Sequence, residues 1–343
     1  MIMLLKKGRP QTMRILIAPV DMAGQAGLLA KNLNGIDYQV TLCTYNRNPF
    51  GHYRQLQLSR PEMKKWFSEH WNEFDVFHYY WGLTIYNDGS DLDQLIHQHK
   101  KVLMRHCGND VRIRSAARKN NPYIRILYRN GQTEEQVVNH LKILSRRIRD
   151  AVVPDYELYE HAKLFYEKVH VVPRMIQTQS FRPRFPDEKN DRPLVVHAPS
   201  LPFFKGSGDV IDTVKELQRR YDFDFQLVKN LPQRKALKIY SRADIIIDQL
   251  LIGTYGVLAV EAMALGKPVI SYLREDLKST FLTDPPIVSA NPATLYEQLE
   301  WLITHPAERR RLGISGRKYV EDMHDVRKVV PQMIRVYKQL PPL

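Results

Sequence analysis

The chain has 343 residues, 43% of them hydrophobic, enough to bury two ordinary cores. Its 51 Lys and Arg against 37 Asp and Glu leave a formal charge of +14, which points to an anionic partner. The two cysteines, Cys43 and Cys107, lie far apart without metal-type spacing; this excludes a disulfide framework or cysteine zinc site and suits a reducing cytoplasm. No apolar run approaches the roughly 20 residues of a membrane span.

Residues 1–12 hold too short an apolar stretch for a signal peptide and read as an unstructured leader, so folded structure is expected from Met13. Strand and helix patterns then alternate, which predicts an α/β fold with largely parallel sheets. Strands are predicted at 13–19, 39–43, 76–80, 102–106, 151–154 and 169–173, the last two each stopped by a proline. Gly24-Gln25-Ala26-Gly27 turns the chain into a helix at 28–33, and a second helix is predicted at 91–99. Residues 100–149 hold 13 Lys and Arg against Asp110, Glu134 and Glu135. Such a block fits a phosphorylated substrate, an anionic membrane surface or a solvated helical face.

Periodicity is lost over 174–193, where Pro183, Pro186 and Pro193 stand among charges, and this stretch is read as a linker between an N-terminal domain at 13–173 and a C-terminal one at 194–320. The second domain alternates in the same way: strand 194–197, helix 208–221, strand 223–228, helix 232–241, strand 243–251, helix 255–265 and strand 269–272. From Pro292 the tail reads as helical, with residues 321–343 a final helix.

The most informative stretch is I-G-T-Y-G-V-L-A-V-E-A-M-A-L-G-K-P-V-I, residues 252–270. Gly253 and Gly256 bracket a tight loop between a buried strand and a helix. Free amides at a helix start and the helix dipole both favour a phosphate there. Glu261, two turns into the helix, offers a carboxylate able to accept the two hydroxyls of a ribose. The glycine spacing alone also fits a plain strand–loop–helix unit.

Five blocks in order resemble the retaining GT-B glycosyltransferases of family 4, the group 1 glycosyl transferases. Residues 252–270 resemble that family's sugar-nucleotide motif, and H-A-P-S-L-P-F-F-K-G-S (197–207) its first C-domain strand and phosphate loop. D-M-A-G-Q-A-G-L-L-A-K-N-L (21–33) resembles the N-domain glycine loop, V-L-M-R-H-C-G-N-D-V (102–111) the inward-facing histidine loop, and P-A-E-R-R-R-L-G-I-S-G-R-K-Y-V-E the helices that cross back. The resemblance implies two Rossmann-like domains facing across a cleft, with the last helix packing back on the N-domain. The nucleotide sugar would sit mainly on the C-domain and the acceptor on the N-domain.

The resemblance assigns roles residue by residue. Lys205 would neutralise the leaving diphosphate, and Glu261 would bind the nucleotide ribose. Thr254, Tyr255, Gly256 and Val257 would present backbone amides to phosphate and sugar. His106 would reach the donor sugar, and His78 resembles a second family histidine. Gly24 and Gly27 would let their loop approach donor or acceptor, while Asp110 and Arg112 either order their loop or touch the acceptor. Two positions depart from the family. Ser200 stands where an arginine usually shares the work of Lys205, so Ser200, the backbone of Gly206 or another arginine must compensate. Gly253 stands where a glutamate contacts donor-sugar hydroxyls, with Asp248 a substitute or a loop cap.

No metal site is expected. Asp222-Phe223-Asp224 matches the letters of a metal motif but flanks a buried strand. No cofactor is implied beyond a UDP- or GDP-sugar as donor substrate. The acceptor would be a hydroxyl of a glycan, lipid-linked or small molecule, reached in the cytoplasm or at the inner membrane face through residues 100–149. The alternative is a non-catalytic GT-B-like subunit that binds nucleotide sugar or glycan. A nucleic-acid partner is disfavoured, since charge alone suggests it and no nucleic-acid module is recognised.

Overall fold

A computed structural model describes residues 12–35, 37–45, 53–86 and 88–342. The leader at 1–12 lies, but for Thr12, outside the described residues. Two all-parallel sheets carry the chain. The first contains β1 (Met13–Ala18), β2 (Tyr38–Thr44), β3 (Leu56–Gln57), β4 (Val76–Tyr80), β5 (Lys101–Arg105), β6 (Asp150–Val153) and β7 (Lys168–Val171). Their order is β3-β2-β1-β4-β5-β6-β7. The second contains β8 (Leu194–His197), β9 (Asp224–Leu227), β10 (Ile245–Ile247), β11 (Val269–Ser271) and β12 (Ile287–Ser289), in the order β12-β11-β10-β8-β9.

Helices connect the strands and cover both faces. Around the first sheet are α1 (Gln25–Leu33), α2 (Arg60–His70), α3 (Ser90–His97), α4 (Arg114–Asn120), α5 (Glu134–Ser145) and α6 (Tyr156–Ala162). Around the second are α7 (Pro202–Lys205), α8 (Ser207–Leu217), α9 (Gln233–Tyr240), α10 (Val257–Ala264), α11 (Leu295–Thr304) and α12 (Pro306–Met323). Strands such as Val-Phe-His-Tyr-Tyr in β4 are buried throughout, as a sheet covered on both faces requires. Each sheet therefore separates two apolar clusters, Phe67, Phe77 and Leu141 opposing Ile15, Leu29 and Leu103 in the first.

The last helix, α13 (Val326–Gln339), belongs to the first sheet although it follows the second. Val329, Met333 and Tyr337 are fully buried in one cluster with Ile15, Ile17 and Leu29. The chain enters this helix after His324, whose Nδ1 meets the carbonyl of Arg174 at 2.8 Å, and Ile176 makes a bridge to Asp325. The proline-rich stretch after Arg174 runs along α12, where the guanidinium of Arg317 donates to the carbonyls of Thr178 and Phe181.

Parallel sheets bind ligands beyond the carboxyl ends of their strands, where neighbouring connections leave in opposite directions. In the second sheet that point lies between β8 and β10; in the first it lies between β1 and β4. The loops after these strands face one another.

Candidate active site

Between the two sheets lies a cleft of about 790 Å³. Its first wall comes from the loops after β1 (Met22, Ala23), β4 (Trp81, Gly82) and β5 (Cys107, Gly108, Asn109, Asp110 and Arg112). The opposite wall comes from Ser200 and Lys205 after β8, Gln249 after β10, and Gly256, Val257 and Glu261 at the start of α10.

Lys205 ends the single turn α7, and Gly206 follows in the left-handed conformation with φ 76° before α8 begins. This reversal brings the Lys205 ammonium 3.0 Å from Asp248 Oδ1 and into a hydrogen bond with Gln249 Oε1. Asp248 is fully buried, and its other oxygen accepts the Gly256 amide at 2.7 Å. One carboxylate thus ties the lysine to the first turn of α10. A Cβ placed on Gly256 would come within 3.1 Å of the Lys205 Nζ and 3.0 Å of Asp248 Oδ2, so a side chain there would press on this junction. The next amides, at Val257, Leu258 and Ala259, are among those an α-helix leaves without partners at its start. An ammonium and a helix N-terminus therefore share one side of the cleft, the arrangement that suits a diphosphate.

Glu261 lies one turn further along α10, 8% exposed, with Gln233 Nε2 donating to its Oε1. Burial, against that hydrogen bond and with the nearby charge of Asp248, pushes its carboxyl up to about 7.

Several predicted residues sit elsewhere. His106 is fully buried and does not line the cleft: its Nδ1 meets Asp110 Oδ2 at 2.7 Å and its Nε2 the Tyr166 hydroxyl at 2.9 Å. Both ring nitrogens are occupied, so the ring holds Asp110 and has no nitrogen left for a donor sugar. Asp110 also accepts the amides of Cys107 and Gly108, at 3.0 and 2.7 Å. Arg112 forks onto Glu157 and reaches Asn109 Oδ1 at 3.0 Å. Burial would raise Glu157, but the Arg112 charge and hydrogen bonds from His161 and Arg112 hold it down at about 2. Of the two roles open to Asp110 and Arg112, these contacts are those of loop-ordering groups whose edges reach the cleft.

His78 is buried beneath α13, its Nδ1 2.7 Å from the Tyr337 hydroxyl, and burial, then the charge of Arg105, keeps it neutral. It is part of the packing that seats the last helix. Met22 and Ala23 line the cleft in place of Gly24 and Gly27. The start of α1 is already occupied by Asp21, which accepts the amides of Ala26 and Gly27 at 2.9 and 3.1 Å. Gly253, with φ 90°, turns its missing side chain towards Arg274, whose Cγ and Cδ would lie 2.5 Å from an added Cβ. Arg274 fills the space that a glutamate would need. The Tyr255 hydroxyl bonds Tyr319 and His324, so that residue joins the loop to α12. Thr254 is buried with its hydroxyl 3.5 Å from Asp155.

The basic block is dispersed by folding. Arg105 and Arg112 are buried, while Arg147 pairs with Asp93 and Arg149 with Glu167. Arg114 and Arg129 lie over the rings of Tyr128 and Trp81. Lys142, Ile143 and Arg146 remain exposed at the C-terminal end of α5. Asp222 and Asp224 both face Arg192 on the surface. Among the described residues no group of three or more His, Cys, Asp or Glu is poised around a metal, and no helix is long and apolar enough to cross a membrane.

Among the cleft residues that sequence reasoning missed are the polar Arg174, Gln233, Tyr240 and Gln249. Gln249 follows Asp248 at a strand's carboxyl end, a position that marks it. Arg174 follows β7 in the same manner but fell inside the predicted linker. Its Nη1 lies 2.7 Å from Asp155, the carboxylate that also meets Thr254. Gln233 and Tyr240 belong to a polar helix and carry no sequence signal.

Two all-parallel α/β sheets with a cleft between their carboxyl ends, and a C-terminal helix that returns to the first, form the GT-B fold. The glycosyl transferase-like family model matches residues 188–335, which include the whole of this second wall. Among curated proteins, the MMP alpha-(1→4)-mannosyltransferase of Mycolicibacterium hassiacum is 27% identical over 203 residues, 50% of this chain and 49% of that one. The chain thus aligns with about half the length of that relative. Among solved structures, sucrose-phosphate synthase from Thermosynechococcus elongatus superposes with a TM-score of 0.70 at 16% identity, covering 96% of this chain and 99% of the other. Anabaena HepE in complex with UDP-glucose superposes with a TM-score of 0.63 at 13% identity, covering 96% of this chain and 100% of that one.

Proposed function

We propose that this chain is a glycosyltransferase that moves a sugar from a UDP- or GDP-sugar to a hydroxyl of a glycan, lipid-linked or small-molecule acceptor. The observation that carries the reading is the Lys205 ammonium held against the first turn of α10, with Glu261 one turn away in the same cleft. The diphosphate would lie across Lys205 and the amides at Val257 and Leu258, and the ribose hydroxyls would meet Glu261. Negative charge grows on the departing phosphate oxygen, so a fixed cation and helix dipole stabilise the transition state more than the ground state. Arg174 supplies the second cation that Ser200 lacks: it lines the cleft and is tied through Asp155 to Thr254.

The transfer retains the configuration of the sugar carbon and uses no metal. The two carboxylates of the described cleft lining are both engaged, Asp110 by His106 and two amides, Glu261 by Gln233. Retention rests on the resemblance to the retaining family: Asp110 orders its loop and Glu261 is given to the ribose, so no carboxylate of the described lining is assigned as a nucleophile. The acceptor oxygen would instead attack on the face from which the diphosphate leaves. The bond from C1 to the phosphate oxygen breaks, the bond from C1 to the acceptor oxygen forms, and the acceptor proton passes to the departing phosphate.

Lys142, Ile143 and Arg146 give the N-terminal domain a small basic face with an apolar centre, which fits work at an anionic cytoplasmic leaflet. Salt-sensitive pelleting with anionic vesicles tests that part. The activity is tested by nucleoside diphosphate release from a panel of UDP- and GDP-sugars, with and without acceptors and EDTA. Release that survives EDTA supports the reading, and release that requires added magnesium or manganese opposes it. A second reading, a non-catalytic nucleotide-sugar-binding subunit, is motivated by Ser200 and by Arg274 filling the space beside Gly253. Tight nucleotide binding with no release from any donor would favour it.

A further inference from the structure

A second cavity, of about 730 Å³, lies on the far side of the C-terminal domain. Its residues precede strands: Arg242 and Asp244 come before β10, Lys267 before β11, and Lys189 before β8. It is thus at the amino ends of the second sheet, whereas the cleft described above is at the carboxyl ends. Arg184 and Arg310 complete a ring of five cations, with Asp187 and Asp244 the two carboxylates in the lining.

Lys267 is the unusual member. Only 2% of the residue is exposed, and its ammonium makes no hydrogen bond to the described residues but opens onto the cavity. Burial lowers it to about 8 despite the charge of Asp244 nearby. Asp244 is occupied elsewhere, since its Oδ2 accepts from Asn190 Nδ2 and from the Leu194 amide, each at 2.9 Å. Arg310 is partly engaged, 3.5 Å from Glu188 and 3.3 Å from the Pro186 carbonyl. The guanidinium groups of Arg184 and Arg242 make no hydrogen bond among the described residues. An ammonium with no protein partner among the described residues, solvated only through the cavity, is incompletely compensated for its burial. Surrounding it with further cations adds repulsion, which a bound anion would remove.

We propose that this cavity is a second binding site, for a phosphate-bearing ligand, with Lys267 at its floor and Arg184, Arg242 and Arg310 at its rim. The cavity has room for more than a single inorganic phosphate, so it accommodates a ligand with a second phosphate or an attached organic group. A soluble phosphate ester and a lipid phosphate headgroup share this chemistry. The site does not depend on the glycosyltransferase reading, because it shares no residue with the donor cleft.

The test is titration of the full chain with inorganic pyrophosphate at constant ionic strength, carried out in a Lys205→Ala background to weaken the donor cleft. Adding Lys267→Met, or Arg184→Ala with Arg242→Ala, should weaken pyrophosphate binding about tenfold or more, the effect of losing a charge-assisted hydrogen bond. Should the Lys267 variant fail to fold, the rim pair decides, since both arginines are exposed. Unchanged affinity in the foldable variants overturns the site, as does an absence of pyrophosphate binding in the Lys205→Ala background. Sedimentation with phosphatidylcholine vesicles, with and without phosphatidic acid, separates the two sources. Pelleting that needs phosphatidic acid and is lost in the rim pair assigns a lipid headgroup; pyrophosphate binding without pelleting assigns a soluble ligand.

Discussion

Glu261→Gln should make the empty protein more stable while weakening its hold on nucleotide. The folded-state carboxyl is raised from 4.5 to about 7, mainly by burial. Between these values the folded chain keeps a proton that the unfolded chain releases, so stability falls as pH rises through this window. At about 1.36 kcal/mol per pH unit, ionising this group costs the fold about 3 kcal/mol by pH 8. Glutamine removes that cost and can still accept from Gln233. The buried histidines His197 and His324, each lowered to about 4 chiefly by burial, work in the opposite sense. Their neutral forms support the fold above about pH 6.5, and that support is lost as pH falls towards 4. The assay is therefore a difference: urea unfolding of wild type and Glu261→Gln at pH 5 and pH 8. The variant should gain up to about 3 kcal/mol relative to wild type at pH 8 and little at pH 5. The same change should weaken UDP or GDP binding by about 10-fold to 100-fold, because an amide cannot accept two ribose hydroxyls through both of its polar atoms. A difference that does not change with pH, or unaltered nucleotide affinity, would refute the reasoning.

Other predictions follow from the same geometry. Lys205→Ala should lower kcat by about 100-fold or more, measured by nucleoside diphosphate release, because it removes charge stabilisation of the leaving group. His106→Phe should cost about 2–4 kcal/mol in urea unfolding, since it leaves Asp110 and the buried Tyr166 hydroxyl short of a partner; a kcat loss with unchanged stability would instead place the ring at the substrate. Gly253→Glu, which restores the family's usual residue, should destabilise the fold and leave donor affinity no better, because φ is 90° and Arg274 fills the space. Higher donor affinity on that change would oppose the proposed packing.

The parts of the site carried by contiguous motifs were readable from sequence. Lys205, Gly256, Val257 and Glu261 stand in two short blocks, each a strand end, a turn and a helix start, and these line the cleft. Strands 76–80 and 194–197 matched residue for residue, their apolar runs being bounded by turn signals. The strand read at 243–251 shrinks to Ile245–Ile247, because the chain leaves the sheet to bring Asp248 to the Gly256 amide. Other misreadings involve distant partners. His78 is claimed by Tyr337 and His106 by Tyr166, separations of 259 and 60 residues, and the Glu157 partner that settles Arg112 on its loop-ordering role lies 45 residues away. No local pattern reveals such pairings. The basic block looked like one surface for the same reason, since Asp93, Glu157 and Glu167 neutralise parts of it from outside the segment.

The central claim is that Lys205 and the start of α10 receive a nucleoside diphosphate. Isothermal titration of UDP, GDP and their monophosphates into wild type and Lys205→Ala addresses it directly. Either diphosphate should bind wild type more tightly than its monophosphate, and Lys205→Ala should weaken the diphosphate by about tenfold or more while changing the monophosphate little. Equal diphosphate affinity in the two proteins would contradict the account.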